Sequence, residues 1–458
     1  MQLRHMKTVV QPTEGLAKVT ALCWSPNNKK MAVCTVDRVV TLYDDTGEKK
    51  DKFSTKPADK GPKTYIVRAM QFSPDSSKLA VAQSDNIVFV YKIGLEWGDK
   101  KSICNKFHQS SPITCMVWPN NHPNEVVYGL AEGKVKVGQL KNNKPATLYA
   151  SENYVTALAG SVDGNGVVSA HLDGSIYRFF FDDNGQGPSH TRLTTHPSPA
   201  YALGWGQSIL VAGNDGNVTF YDQDGGVQKA FDYASDPKVR EFTCAATNPT
   251  GDAIVAGNFD RFYVYAWDQA AGDWVEAEVK EVENMYSVTA LGWKTDGSRL
   301  ALGALCGVVD LYDACIRRYR YKGRFEFTYV SLSQVIVKRL SSGQRIVLRS
   351  HFGCEITKVN IYQDRYVVAH TVETLLLGDL ETFRLSEVEW FNPAAGGQKF
   401  LLENPAVCLV YQAGELSLIE YGKNDVLGAV RTDYVSAHLL SVVVCEKKGG
   451  GGGGEGGG

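Results

Sequence analysis

The residues of this chain best suited to chemistry are cations. Arg317-Arg318-Tyr319-Arg320-Tyr321-Lys322-Gly323-Arg324 sets five positive charges and two tyrosines in eight residues. Guanidinium and ammonium groups at that density, with aromatic rings between them, can hold the phosphates of a lipid surface or of RNA. A run of like charge is also what a solvated strand carries. Arg317, Arg318, Arg320, Lys322 and Arg324 are therefore the candidate contacts with a partner or a membrane. The competing reading is an exposed strand at a junction between domains, with its charges solvated or paired.

Nothing else in the sequence has the spacing of a reactive centre. There is no G-x-x-x-x-G-K-S/T, no H-E-x-x-H and no G-x-S-x-G run, and the nine histidines lack metal-ligand spacing. His171 and His370 each close a predicted strand, where a structural role is expected. Asp182-Asp183-Asn184-Gly185 and Asp222-Gln223-Asp224-Gly225-Gly226 look faintly like calcium loops. They lack the glutamate that such a loop places at its end, and hairpin turns account for them. The ten cysteines include no C-x-x-C pair, and Cys23, Cys34, Cys115 and Cys244 fall in predicted strands as small apolar fillers. No catalytic, cofactor or metal residue is assigned.

The elements that must position the basic run are short strands. Ser287 to Asp313 has three apolar runs, Val288 to Trp293, Arg299 to Leu302 and Val308 to Tyr312, separated by Thr-Asp-Gly-Ser and Cys-Gly. Runs of that length fit strands and are too short for helices. A single meander of this kind cannot bury its apolar faces, so it must stack on copies of itself. The copies are visible. Trp24, Phe72, Trp118, Gly160, Trp205, Thr247 and Trp293 recur at spacings of 48, 46, 42, 45, 42 and 46. A second phase, Asp37, Asp85, Glu132, Asp173, Asp215, Asp260 and Cys306, follows 13 residues behind in five of the seven units. An acid there shapes the turn by accepting hydrogen bonds from backbone N–H groups two residues on.

Tyr43-Asp44, Tyr221-Asp222 and Tyr312-Asp313 stand where a WD40 repeat has Trp-Asp, and the upstream Gly-His pair is missing. The units resemble diverged WD40 blades. The expected fold is all-β, a seven-bladed WD40-like β-propeller followed by an incomplete second β-propeller. Residues 1–321 form the first ring, with 1–16 supplying the closing outer strand from Leu3 to Val10. Residues 322–445 form about three and a half blades that lack the Trp and Asp markers, the last begun by His438 to Val444. Residues 446–458 are a glycine-rich tail or loop. Since a half ring cannot close, the second propeller is expected to continue in a longer protein.

Bulk composition limits the partners. A formal net charge of −2 gives no global reason to expect nucleic acid. No window reaches the roughly 18 consecutive apolar residues of a membrane span. The start MQLRHMKTVVQP has no apolar core of signal-peptide length, so a cytosolic chain is expected.

Several segments carry a closer resemblance: AVCTVDRVVTLYDD at 32–45, DKFSTKPAD at 51–59, DNIVFVYKIG at 85–94, WGDKK at 97–101, ICNKF at 103–107, GLAEGKV at 129–135, SQVIVK at 333–338 and TLLLGDL at 374–380. They resemble the amino-terminal region of the intraflagellar transport 172 family, over about residues 1 to 445. That resemblance implies a peripheral, non-catalytic subunit of the B-type train complex, in the cilium or flagellum and at the basal body, on the cytoplasmic side. It also implies two β-propellers and a following α-solenoid, of which this chain has only the propeller part. The partners implied are other B-complex subunits, including a calponin-homology and coiled-coil subunit. No cofactor, transmembrane segment or residue-level binding motif comes with it.

Overall fold

The computed structural model describes residues 1–12, 18–59, 64–182, 185–390, 397–402 and 404–433. Every helix or strand among them is a strand, and the strands form ten four-stranded antiparallel sheets. Among the described residues no helix is long and apolar enough to cross a membrane. The chain divides into two compact units, Met1–Arg318 and Tyr319–Gly458.

Six sheets of the first unit are each built from four consecutive strands. The first comprises Val19–Trp24, Met31–Thr35, Val39–Tyr43 and Lys49–Ser54. The leading strands of the next five are Val67–Phe72, Ile113–Val117, Val155–Gly160, Ala200–Trp205 and Cys244–Thr247. The seventh sheet contains Val288–Trp293, Arg299–Ala304 and Val309–Ala314, and its fourth strand comes from the other end of the chain. Leu3–Val10 pairs antiparallel with Val309–Ala314, Leu3 opposite Ala314 and Val10 opposite Val309.

Each leading strand lies against the next, and Val288–Trp293 lies against Val19–Trp24, so the succession returns to its start. Apolar side chains fill the gaps between sheets. Between the seventh and first sheets, Leu22, Trp24, Met31 and Val33 pack with Ala290, Ala301, Val309 and Leu311. Glycine permits the close approach there: a Cβ on Gly292 would lie 2.7 Å from Leu22 Cδ2, and one on Gly303 2.5 Å from Val19 Cγ1. The repeat anchors Trp24, Phe72, Trp118, Trp205 and Trp293 are buried. All but Trp118, which follows its strand, sit at the last position of a leading strand.

The second unit contains three sheets. The last two run from Lys358–Tyr362 to Arg384–Glu389 and from Lys399–Leu401 to Val426–Arg431. The eighth sheet differs from the sequence reading, which placed residues up to 321 in the first ring. Its leading strand is the basic run Arg317–Tyr321, ahead of Phe325–Ser331, Gln334–Arg339 and Arg345–Arg349. Arginines at alternate positions dilute the apolar signal of this strand. Its tyrosines nevertheless point inward onto Phe327. The strand expected over His438 to Val444 and the glycine tail lie outside the described residues.

Candidate functional site

Six of the seven leading strands of the first unit begin with the same local irregularity. Pairing steps over one residue in six of the seven sheets, at Thr20, Arg68, Thr114, Thr156, Tyr201 and Thr289. Such a bulge leaves the extra residue out of the ladder and the facing carbonyl short of a donor. Threonine supplies the donor from its own side chain. The Thr20 hydroxyl donates to Cys34 O at 3.2 Å, Thr114 to Gly129 O at 3.3 Å and Thr289 to Gly303 O at 3.2 Å. Two hydroxyls also reach the neighbouring sheet: Thr243 donates to Val288 O at 2.6 Å and Thr289 to Val19 O at 2.7 Å. The last of these bonds joins the seventh sheet to the first.

Four of these bulges, at Thr20, Arg68, Thr114 and Thr289, border a cavity of about 390 Å³ at the strand starts. Its wall carries the hydroxyls of Thr20, Thr114, Thr243 and Thr289, the apolar Val36, Ile66 and Leu305, and two cations, Lys18 and Arg68. No carboxylate lines it among the described residues.

The turns between second and third strands approach the same rim. Backbone bonds from Val36 N to Lys18 O, Ser84 N to Ile66 O, Leu172 N to Tyr154 O and Leu305 N to Ser287 O set each turn beside the start of its leading strand. Large apolar side chains are left in solvent there: Val36, Ile66, Tyr154, Leu172, Phe259 and Tyr286, with Tyr201 at its bulge 43% exposed. Burial pushes the Tyr154 hydroxyl pKa up, and the Arg68 charge pulls it partly back.

The acids of these turns are engaged where they stand. Asp37 Oδ1 accepts from Val39 N at 3.0 Å, Asp173 from Ser175 N at 3.0 Å and Asp215 from Asn217 N at 3.2 Å, the bond expected from the sequence. The following residue takes a left-handed conformation at Arg38, Gly174 and Gly216, with φ of 66°, 80° and 74°. Other units depart from the pattern. Glu132 pairs with Lys134 at 3.1 Å, Asp260 with Arg261 at 2.8 Å, and Asp85 turns inward to accept from Ala58 N at 2.7 Å. Asp75, Asp163 and Asp296, in the turns after leading strands, make the same bond to Ser77 N, Asn165 N and Ser298 N. The Asp-x-Ser/Asn spacing of this second set was legible in the sequence.

Three histidines and several cysteines are enclosed by the core. His171 is fully buried, accepting from the Ser169 hydroxyl at 2.9 Å through Nε2 and donating from Nδ1 to Asn153 O at 3.0 Å. His370 is buried edge-on against Phe400. His196, which the sequence reading did not single out, is buried 3.8 Å from Asp215 and bonded to the Tyr221 hydroxyl at 2.9 Å. Burial lowers the pKa of both His171 and His196, so they are neutral at pH 7. Burial pushes the thiols of Cys34, Cys115 and Cys244 up to about 12, and Cys23 higher still. A thiol so protonated is no nucleophile. The described residues contain no cluster of metal-ligating side chains. In the calcium-like segments, Asp222 accepts from Asp224 N and Gly226 N, and Asp182 from Gly185 N and Gly187 N, while Asp183 and Asn184 lie outside the described residues.

The basic run does not present five equivalent cations. Within the first unit, Arg318 pairs with Asp313 at 3.1 Å. Within the second, Arg324 pairs with Asp364, and Lys322 reaches Ile361 O and lies over the Tyr321 ring. Arg317 and Arg320 are exposed. Tyr319 and Tyr321 pack on Phe327, Tyr321 half-buried and Tyr319 still 41% exposed.

The chain matches the family model for the WD domain, G-beta repeat, over residues 7–44 and 56–92. It is 54% identical over 98% of its length to the intraflagellar transport protein 172 homolog of Mus musculus. Identity is 52% over 97% of the chain with intraflagellar transport protein 172 of Chlamydomonas reinhardtii, and 38% over 97% with intraflagellar transport protein osm-1 of Caenorhabditis elegans. The chain spans about a quarter of the length of these relatives.

Proposed function

We propose that a chain this similar, over nearly all of its length, to intraflagellar transport protein 172 homologues serves the same transport as a non-catalytic interaction scaffold. In this reading it is a peripheral part of the B complex, in the cilium or flagellum and at the basal body, on the cytoplasmic side, and is needed for cilium assembly and movement along the axoneme. The seven sheets of the first unit, from Leu3 to Ala314, are blades of one closed propeller, and the sheets from Arg317 onward belong to an incomplete second propeller. The observation that carries the scaffold reading is the rim of the first unit. It leaves large apolar side chains in water around a cationic cavity. Apolar groups gathered on one rim mark an interaction surface.

Partners in this reading are other B-complex subunits, among them one with a calponin-homology domain and a coiled coil. Capture of individual train subunits by the 458-residue chain tests it. The expected result is retention of at least one subunit at physiological salt, and failure to retain any of them removes the scaffold reading. The second reading, contact with a phosphate-bearing surface through Arg317, Arg318, Arg320, Lys322 and Arg324, is favoured by the exposure of Arg317 and Arg320 on one short strand. It requires steep weakening between low and physiological salt.

A further inference from the structure

The two cations of the first unit's cavity lie in surroundings that differ from those of the acids around them. The rim carboxylates are held by their own turns or by an adjacent cation: Asp37, Asp173 and Asp215 by backbone N–H groups, Glu132 by Lys134, Asp260 by Arg261. Lys18 and Arg68 are exposed, and no ion pair forms on either among the described residues. They share a wall with threonine hydroxyls and no acid. Ile66 lies two residues before Arg68 and shares the wall of the cavity with it. Positive potential focused in a concave site and rimmed by exposed apolar groups recruits a partner with the opposite pattern.

We propose that this cavity mouth binds an acidic segment of a partner protein, one carboxylate lying between Arg68 and Lys18 and its apolar neighbours on Ile66, Val36 and Leu305. The inference rests on the scaffold reading and assigns it a site and a partner chemistry. Threonine hydroxyls at the strand starts remain bonded to backbone carbonyls, so the cations set the charge preference and the rim sets the flanking residues. A carboxylate suits the site because the cavity holds about 390 Å³, room for a side chain and not for a folded domain.

The test selects phage-displayed random dodecapeptides on the whole chain and measures the enriched peptides on the wild type and on the double variant Lys18→Glu/Arg68→Glu. Both side chains are exposed, and unchanged melting of the variant establishes that it folds. The expected consensus places Asp or Glu beside aromatic or aliphatic residues, and binding falls on the order of tenfold or more in the variant. No enrichment, a consensus without acids, or equal binding by the variant overturns the proposal. Phosphatidylserine vesicles are the control for a membrane ligand. If the variant loses vesicle sedimentation but keeps peptide binding, the face serves a membrane and the proposal falls. Capture of train subunits separates this outcome from failure of the scaffold reading. If wild type and variant capture the same subunits equally, the scaffold stands without this site, whereas a wild type that captures none removes both.

Discussion

At the scale of single residues, the turn acids fall into two groups with opposite pH behaviour. Asp75 is typical of the larger group. Burial raises its pKa, but the Ser73 and Ser77 hydroxyls and the Ser77 N–H outweigh that and hold it at about 2. The carboxyls of Asp44, Asp163 and Asp173 are lowered in the same way. A folded pKa below the unfolded value of about 3.9 adds stability that is present above that value and is lost as pH falls towards about 2. Asp85 is the exception. It is buried, its Oδ2 is held by Ala58 N, and its Oδ1 is buried without a partner. Burial raises its pKa, the Ala58 bond offsetting only part of the effect. With the folded pKa above the unfolded one, the folded state binds the proton more readily, so the charge costs stability at neutral pH and costs none below about pH 4. Asp85→Asn keeps the Ala58 bond through its amide oxygen and removes the charge. The variant should melt above wild type at about pH 7, and the difference should vanish near pH 4. A variant that melts lower at pH 7 would show that the carboxylate is stabilised by something other than these contacts.

At the scale of the strand, the bulge explains why threonine recurs where it does. Thr289 bridges Gly303 O and Val19 O, whereas the Thr156 hydroxyl is buried without a partner. Replacing a hydroxyl by a methyl of the same shape therefore has opposite consequences at two positions of one motif. Thr289→Val leaves two carbonyls short of a donor and should lower stability by about 1 kcal/mol or somewhat more, while Thr156→Val should be neutral or stabilising. Urea midpoints of the two variants compare them directly, and equal losses would refute the role given to the hydroxyl. Much of this scale was legible in the sequence. The anchors, the turn acids and the strand lengths are local patterns, and an acid can bond the N–H two residues on without help from distant parts of the chain. The bulges were legible too, as Val19-Thr20-Ala21, Val155-Thr156-Ala157 and Val288-Thr289-Ala290 at one phase of the repeat. They escaped notice because threonine is an ordinary strand residue, and only pairing with the next strand shows that it has no opposite.

At the scale of the molecule, the first unit is joined across nearly its whole length in sequence by Leu3–Val10. Leu3 is fully buried, and Thr8 donates to Asp310 at 2.6 Å on the neighbouring strand. Removing residues 1–10 would strip Val309–Ala314 of its partner and expose a strand edge, the usual template for aggregation. The truncated chain should melt lower and scatter light at concentrations where the intact chain does not, and a synthetic peptide of residues 1–10 should restore part of the loss. Unchanged melting would mean that the seventh sheet is held by its other three strands alone.

What the amino-acid order determined by itself is the list of strands, their turns and their period, since each depends on contacts within a few residues. The three-dimensional structure alone decided which charges stay available. Arg318 and Arg324, prominent in the sequence, find Asp313 and Asp364 beside them, whereas Lys18 and Arg68, unremarkable in it, meet in one cavity without an acid. Coulomb energy depends on distance in space, and the fold brings together residues that lie 50 positions apart in the chain.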